Sequence, residues 1–284
     1  MPPRDTPTAR QARLGAELRK LREKAGRTAR ETAGLLGVDQ ARVSNIESGR
    51  MGIGEERIRR LAAFYSCGDG ALIDALCAIA RERRGEHWWD EYRGILPPAF
   101  LDLAELEHHA TYLRSSQIVC VPGILQTEGY ARVLFSEAVP LLPPEEVDAR
   151  VGHRMRRRVI LERDDPPPFV AIVHEAALRM RFGGRKVIGE QLEWLMEVSC
   201  WPKVTLLIIP FATEEFVEVT QPALYAGGVV PQLDTVQLDL PFGGVHLNAE
   251  AELDRHRKLL DNAEAVALLP EASRQLIHHI AREL

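Results

Sequence analysis

TARETAGLLGVDQARVSNIESGR, residues 28–50, reads as two short helices joined by a tight turn. Thr28 is a hydroxyl N-cap with Glu31 three residues on, a capping box that satisfies two otherwise orphaned backbone N–H groups. Ala33 and Leu36 give the first helix an apolar stripe. Gly37 stands just past it, where a helix end favours a residue free to take positive φ. Val38 plugs the turn, Asp39 is placed to cap the second helix, and Val43 and Ile46 form that helix's buried stripe. Its outer face keeps Gln40, Ala41, Arg42, Ser44 and Asn45. Short or forked polar side chains at the N-terminal end of a helix suit base edges in a major groove, where Gln and Asn pair with adenine and Arg with guanine. The spacing predicts a helix-turn-helix that meets double-stranded DNA. Gln40, Ala41, Ser44 and Asn45 would face bases and Arg42 a base or a phosphate, with Thr28, Ser48 and Arg50 on the backbone.

Helices flank this pair. Leu14, Leu18 and Leu21 form the stripe of a helix over 8–25, and Arg19, Lys20 and Lys24 lie off it, as phosphate contacts or as a solvated face. Ile58, Leu61, Ala62 and Tyr65 mark a helix over 54–65. Asp69 caps one over 70–83 that ends in Arg81, Arg83 and Arg84, where cations suit the helix dipole. Residues 1–7 are expected to be disordered.

The charge is divided along the chain. The first 84 residues carry 17 Lys and Arg against 11 Asp and Glu, net +6; the remaining 200 carry 19 against 30, net −11, and together these give the −5 of the whole. A basic head on an acidic body suits a module that meets a polyanion. A length of 284 residues suits two domains, and we place them at 1–84 and 100–284 with an aromatic linker, EHWWDEYRGILPPA, inside 85–99. No apolar run is long enough to span a membrane, and the N-terminus has no secretory h-region. The four cysteines have neither metal-ligand nor CxxC spacing. A cytoplasmic protein is expected.

In the second half, residues 100–114 read as a helix, Thr127-Glu128 starts another, and a third spans about 144–163. The last carries Arg150, Arg154, Arg156, Arg157 and Arg158, read as a solvated surface with pairs to Glu162 and neighbouring acids in preference to a nucleic-acid site. FVAIVH (169–174) and VTLLIIPF (204–211) are buried strands, with an amphipathic helix over 184–200 between them, so they should be parallel. PALYA (222–226), DTVQLDL (234–240) and GVHLN (244–248) add antiparallel strands, and helices over 249–265 and 270–283 close the chain. The fold class is α + α/β: a five-helix head, then a small mixed sheet covered by helices.

Nothing in this half assembles a catalytic set, so no enzyme activity, cofactor or metal is expected. HEAAL (174–178) starts like a zinc-protease motif but has Leu178 where the second ligand belongs. The His108-His109 and His278-His279 neighbours point about 100° apart on a helix and make no clamp. Glu175, at a strand end, is the most site-like single residue, more often a satisfied carboxylate than a functional one. A ligand pocket lined by Trp88, Trp89, Tyr112 and Tyr130, between the sheet and the 100–136 helices, is an alternative.

LRKLREKAG (18–26), Ala33, Gly37, VSNIESGR (43–50) and the apolar helix after them resemble the phage-repressor (XRE) helix-turn-helix family over Leu14 to Tyr65. The resemblance implies a structural pair between Arg22 and Glu47. The phosphate-clamping Gln usual at the second position of the first motif helix is Ala29 here, which removes one backbone contact. WWDEYRGILP, VPGILQTEGYAR (121–132), the Arg-rich helix, HEAALR, VTLLIIPF and LLPEASRQLI are similar to an actinobacterial group that includes the WhiJ-like regulators, with a C-terminal domain of unknown function. This likeness implies a transcriptional regulator, expected to be a repressor acting as a homodimer. It also allows an antitoxin-like module that binds a small BldB-like partner, or a ligand-sensing regulator.

Overall fold

The computed structural model describes residues 7–82, 85–218, 220–240 and 243–284. Arg83, Arg84 and residues 1–6, on which two of the expectations above fall, lie outside them. The chain forms two compact units: the first runs to Glu91 and takes in Val229–Leu233, the second holds Tyr92–Gly228 and Asp234–Leu284. The 85–99 stretch is divided between them.

The first unit has five helices: α1 (Ala9–Lys24), α2 (Ala29–Leu36), α3 (Gln40–Glu47), α4 (Glu55–Phe64) and α5 (Gly70–Arg81). Thr8, Thr28, Asp39 and Asp69 cap four of them with side-chain oxygens. Their apolar stripes, Leu14, Leu18, Leu36, Ile46, Ile58, Leu61, Leu72 and Leu76 among them, close one core, which Val230 also joins.

The second unit opens with α6 (Pro98–His109) and β1 (Tyr112–Gln117), followed by α7 (Glu128–Ser136), α8 (Pro144–Arg156) and α9 (Val159–Glu162). Next come β2 (Phe169–His174), α10 (Glu175–Arg179), α11 (Gly184–Val198) and β3 (Val204–Ile209). The chain ends with β4 (Ala223–Gly227), β5 (Thr235–Leu240), β6 (Gly243–Leu247), α12 (Glu250–Val266) and α13 (Pro270–Arg282). The six strands form one mixed sheet in the order β3-β2-β1-β4-β5-β6. β2 is parallel to both β1 and β3, whereas β4, β5 and β6 run antiparallel to their neighbours. One face buries Leu113, Ala171, Val173, Leu206 and Ile208 with Tyr130 of α7, Leu192 of α11 and Ile277 of α13. The other buries Ile172, Tyr225 and Val236 against Leu253, Leu260 and Ala263 of α12. On the outer side of β3, Leu268 N–H donates to the Ile208 carbonyl at 2.8 Å and the Ile208 N–H donates to Ser273 Oγ at 3.0 Å.

The structure differs from the sequence expectation in three places. The helix read over 100–114 ends at His109, and Tyr112–Gln117 is a central strand. Its polar letters concealed it: Arg114 is satisfied by Glu264 and Asp261 of α12 (2.6 and 2.8 Å), and Ser115 and Ser116 are buried in the sheet. The helix read over 144–163 breaks after Arg156 into tighter turns before α9. The arginines there are not one solvated face: Arg157 is buried against Glu107 of α6, and Arg154 reaches Gln126.

Candidate nucleic-acid interface

Local chemistry sets the α2–α3 pair. Thr28 Oγ1 accepts from Glu31 N–H at 3.2 Å while the Glu31 carboxylate accepts from Thr28 N–H at 2.8 Å, so both ends of the capping box are made. Gly37 takes φ 64° and ends α2 in the left-handed conformation. Asp39 Oδ1 accepts from Arg42 N–H at 2.7 Å and starts α3. Beneath α2, the Thr32 hydroxyl meets the Tyr65 hydroxyl at 3.1 Å in the core. Burial raises the Tyr65 pKa, so the phenol stays protonated.

α1 fixes the C-terminal end of α3. A β-carbon on Gly15 would lie 2.5 Å from the Ile46 carbonyl oxygen, and one on Gly49 would lie 2.7 Å from Ala12 N. Gly49 also takes φ 73°, so the turn after α3 both needs and exploits a glycine. Arg22 clasps Glu47 with two hydrogen bonds, Nε at 2.6 Å and Nη2 at 2.9 Å, and its Nη1 donates to the Arg27 carbonyl at 2.9 Å. The guanidinium pKa is raised, chiefly by the hydrogen bond to Glu47.

With Val43 and Ile46 buried, α3 turns Gln40, Ala41, Arg42 and Ser44 fully outward and leaves Asn45 half-exposed. Thr28, Ser48 and Arg50 are exposed around it. Among the described residues Arg42 and Arg50 have no ion pair, which leaves their charge available to phosphate or base. Arg19 and Lys20 are instead held in intrahelical pairs, to Glu23 and Glu17, each at 2.8 Å. Arg30, exposed in the first turn of α2 and also without an ion pair among the described residues, is a candidate that the sequence reading passed over. Its signal was a cation two residues after the Thr28 cap.

Of the residues proposed for a ligand pocket, Tyr112 and Tyr130 are not brought together. Trp88 and Trp89 stand edge-to-face in the first unit, with Trp89 buried. Tyr112 stacks on Tyr225 on the α12 face of the sheet, whereas Tyr130 is fully buried on the opposite face. Glu175 begins α10; it pairs with Arg179 at 2.6 Å and accepts from Phe211 N–H at 2.8 Å. A cavity of about 260 Å³ opens nearby beside Gln117, Ile172, His174 and Val217, but Glu175 does not line it. Among the described residues no three His, Cys, Asp or Glu side chains gather so as to hold a metal, and no helix is long and apolar enough to cross a membrane.

A recognition helix held outward in this way defines a helix-turn-helix DNA-binding regulator. Residues 13–76 match the family model described as a helix-turn-helix domain. Residues 100–279, well over half of the chain, match the domain of unknown function DUF5753, and the chain belongs to that family. No curated protein and no solved structure matches it.

Proposed function

We propose that the chain is a sequence-specific transcriptional repressor. Gln40, Ala41, Ser44 and Asn45 read bases, Arg42 reads a base or a phosphate, and Thr28, Arg30, Ser48 and Arg50 position the backbone. The observation that carries this reading is the outward face of α3, exposed at Gln40, Ala41, Arg42 and Ser44, with Arg42 in no ion pair among the described residues, while Val43 and Ile46 anchor the helix. One head with so few contacts reads a short site, which supports a homodimer on a two-fold operator. The second unit, Tyr92–Gly228 with Asp234–Leu284, dimerises the protein and takes its input. The resemblance to WhiJ-like regulators supports a small BldB-like partner as one form of that input, and the cavities of the sheet domain support a ligand as another.

Genomic DNA-affinity sequencing with the full chain, beside a Gln40→Ala/Asn45→Ala double variant, tests the reading. A palindrome enriched by the intact protein alone is the expected result. No enrichment, or equal enrichment by both proteins, would overturn it.

A further inference from the structure

The first unit is not built from one continuous stretch. It takes in Val229–Leu233, which the chain enters from Gly228 and leaves at Asp234. Within the head this segment closes with a tight helical turn over Pro231–Leu233. Val230 enters the core at 8 % exposure and Leu233 packs against it, whereas Val229 stays 66 % exposed. Two polar ties add to this. Arg13 of α1, buried and ion-paired with Glu17 at 3.2 Å, donates through Nη2 to the Gln232 carbonyl. Gln232 Nε2 donates to Asp69 Oδ2 at 3.0 Å, while Asp69 Oδ1 accepts from Leu72 N–H at 3.0 Å and so caps α5. One five-residue segment thus bonds both to the cap of α5 and to α1, the helix that fixes α3 through Gly15 and the Arg22 clasp.

A buried guanidinium keeps its place only while its donors are met. Withdrawing the segment would take an acceptor from Arg13 and a side chain from the core. The hold is nevertheless small: one buried side chain, one half-buried side chain and two hydrogen bonds. Segments held this lightly open locally while the rest of a domain stays folded. The root of the segment, in the second unit, is clasped by Asp234, which is buried. It accepts from Gly228 N–H at 2.9 Å, which pins the two ends together, and from the Tyr225 hydroxyl at 2.5 Å. Arg257 of α12 donates to that hydroxyl at 2.6 Å and pairs with Asp234 at 3.3 Å. Pinning the ends lowers the entropy cost of presenting the segment in one shape.

We propose that Val229–Leu233 is a latch that completes the DNA-binding head: docked, it ties α1 to the start of α5; withdrawn, it loosens both. The Asp234 clasp holds it ready, and through that clasp an input to the second unit shifts the balance of docked and withdrawn states. This route rests on the reading that the second unit takes the input; the latch itself does not.

Hydrogen–deuterium exchange of the full chain, read peptide by peptide, tests the latch and needs no operator. Val230→Asp puts a charge where the core takes the side chain. It is expected to speed amide exchange in α1 and α5 at least tenfold while β1, β2 and β3 keep their rates. Val229→Asp adds the same charge at the exposed neighbour and should leave every rate unchanged. Unchanged exchange in α1 and α5 of Val230→Asp, or the same acceleration from Val229→Asp, overturns the latch. Val230→Ala inserts no charge and should move the same amides the same way, so it decides the case where Val230→Asp disturbs the sheet as well. Asp234→Asn keeps the shape of the clasp and removes its charge, and should speed α1 and α5 by a smaller factor. If it leaves them unchanged while Val230→Asp does not, the latch stands and the route through Asp234 is overturned.

Discussion

Gly15 of α1 and Ile46 of α3 touch through backbone: a β-carbon on Gly15 would stand 2.5 Å from the Ile46 carbonyl oxygen and 2.6 Å from that of Glu47. Alanine in mid-helix ordinarily gains about 0.5–1 kcal/mol over glycine. Here the clash outweighs it, since rigid carbonyls cannot step aside. Gly15→Ala is expected to destabilise the head by about 1–3 kcal/mol and to weaken DNA binding by tilting α3. Urea unfolding beside an operator-binding assay checks this; an unchanged or raised midpoint would remove the argument.

The Arg22–Glu47 clasp is mostly buried, at 12 % and 10 % side-chain exposure, so it should be worth more than a surface pair. A double-mutant cycle with Arg22→Met and Glu47→Gln should give a coupling of about 1–2 kcal/mol, against the 0–1 kcal/mol typical of exposed pairs. A coupling near zero would make the clasp ornamental.

On the DNA side, Asn45→Ala should cost about 1–3 kcal/mol and blur one base position. Arg50→Ala should weaken all sequences alike and make the log affinity–log salt slope shallower by about one. Binding selections at two salt concentrations separate the two behaviours. If Asn45→Ala kept its full sequence preference, the assigned register of α3 would be wrong.

His153 gives an acid-stability test. It is buried between the Tyr92 and Phe100 rings, and burial, then Arg157, Arg154 and Arg156, lower its pKa to about 3. The folded state therefore keeps it neutral where an unfolded chain, with a pKa near 6.5, takes up a proton. The unfolded state binds more protons below pH 6.5, so stability falls as pH drops from about 6.5 towards 3. His153→Phe should flatten that part of the melting-temperature profile, measured between pH 7 and pH 4. An identical slope in the variant would show that other groups set acid sensitivity.

Features set by neighbouring residues were legible in the sequence. The caps at Thr28, Asp39 and Asp69, the left-handed Gly37 and the apolar strands Phe169–His174 and Val204–Ile209 all rest on local chemistry. The outward face of α3 follows in the same way from burying Val43 and Ile46. What escaped was decided by distant partners. Tyr112–Gln117 is a strand because Arg114 finds Glu264 and Asp261 far along the chain. Arg157 is buried because Glu107 waits on another helix, and no local pattern marks that pairing. Tyr112 and Tyr130 could not be assigned to a shared pocket without knowing that they belong to opposite faces of the sheet.

The backbone contacts that Leu268 and Ser273 make with Ile208 bear on solubility. VTLLII is an apolar strand at the margin of the sheet, and an unpaired margin of that composition invites another chain to add on. At Ile208 both the donor and the acceptor are already taken by the chain's own last segment. Trimming the protein before Leu268 would therefore do more than remove a helix. It would bare a sticky ribbon, and the shortened protein would be expected to come out of the cell as inclusion bodies.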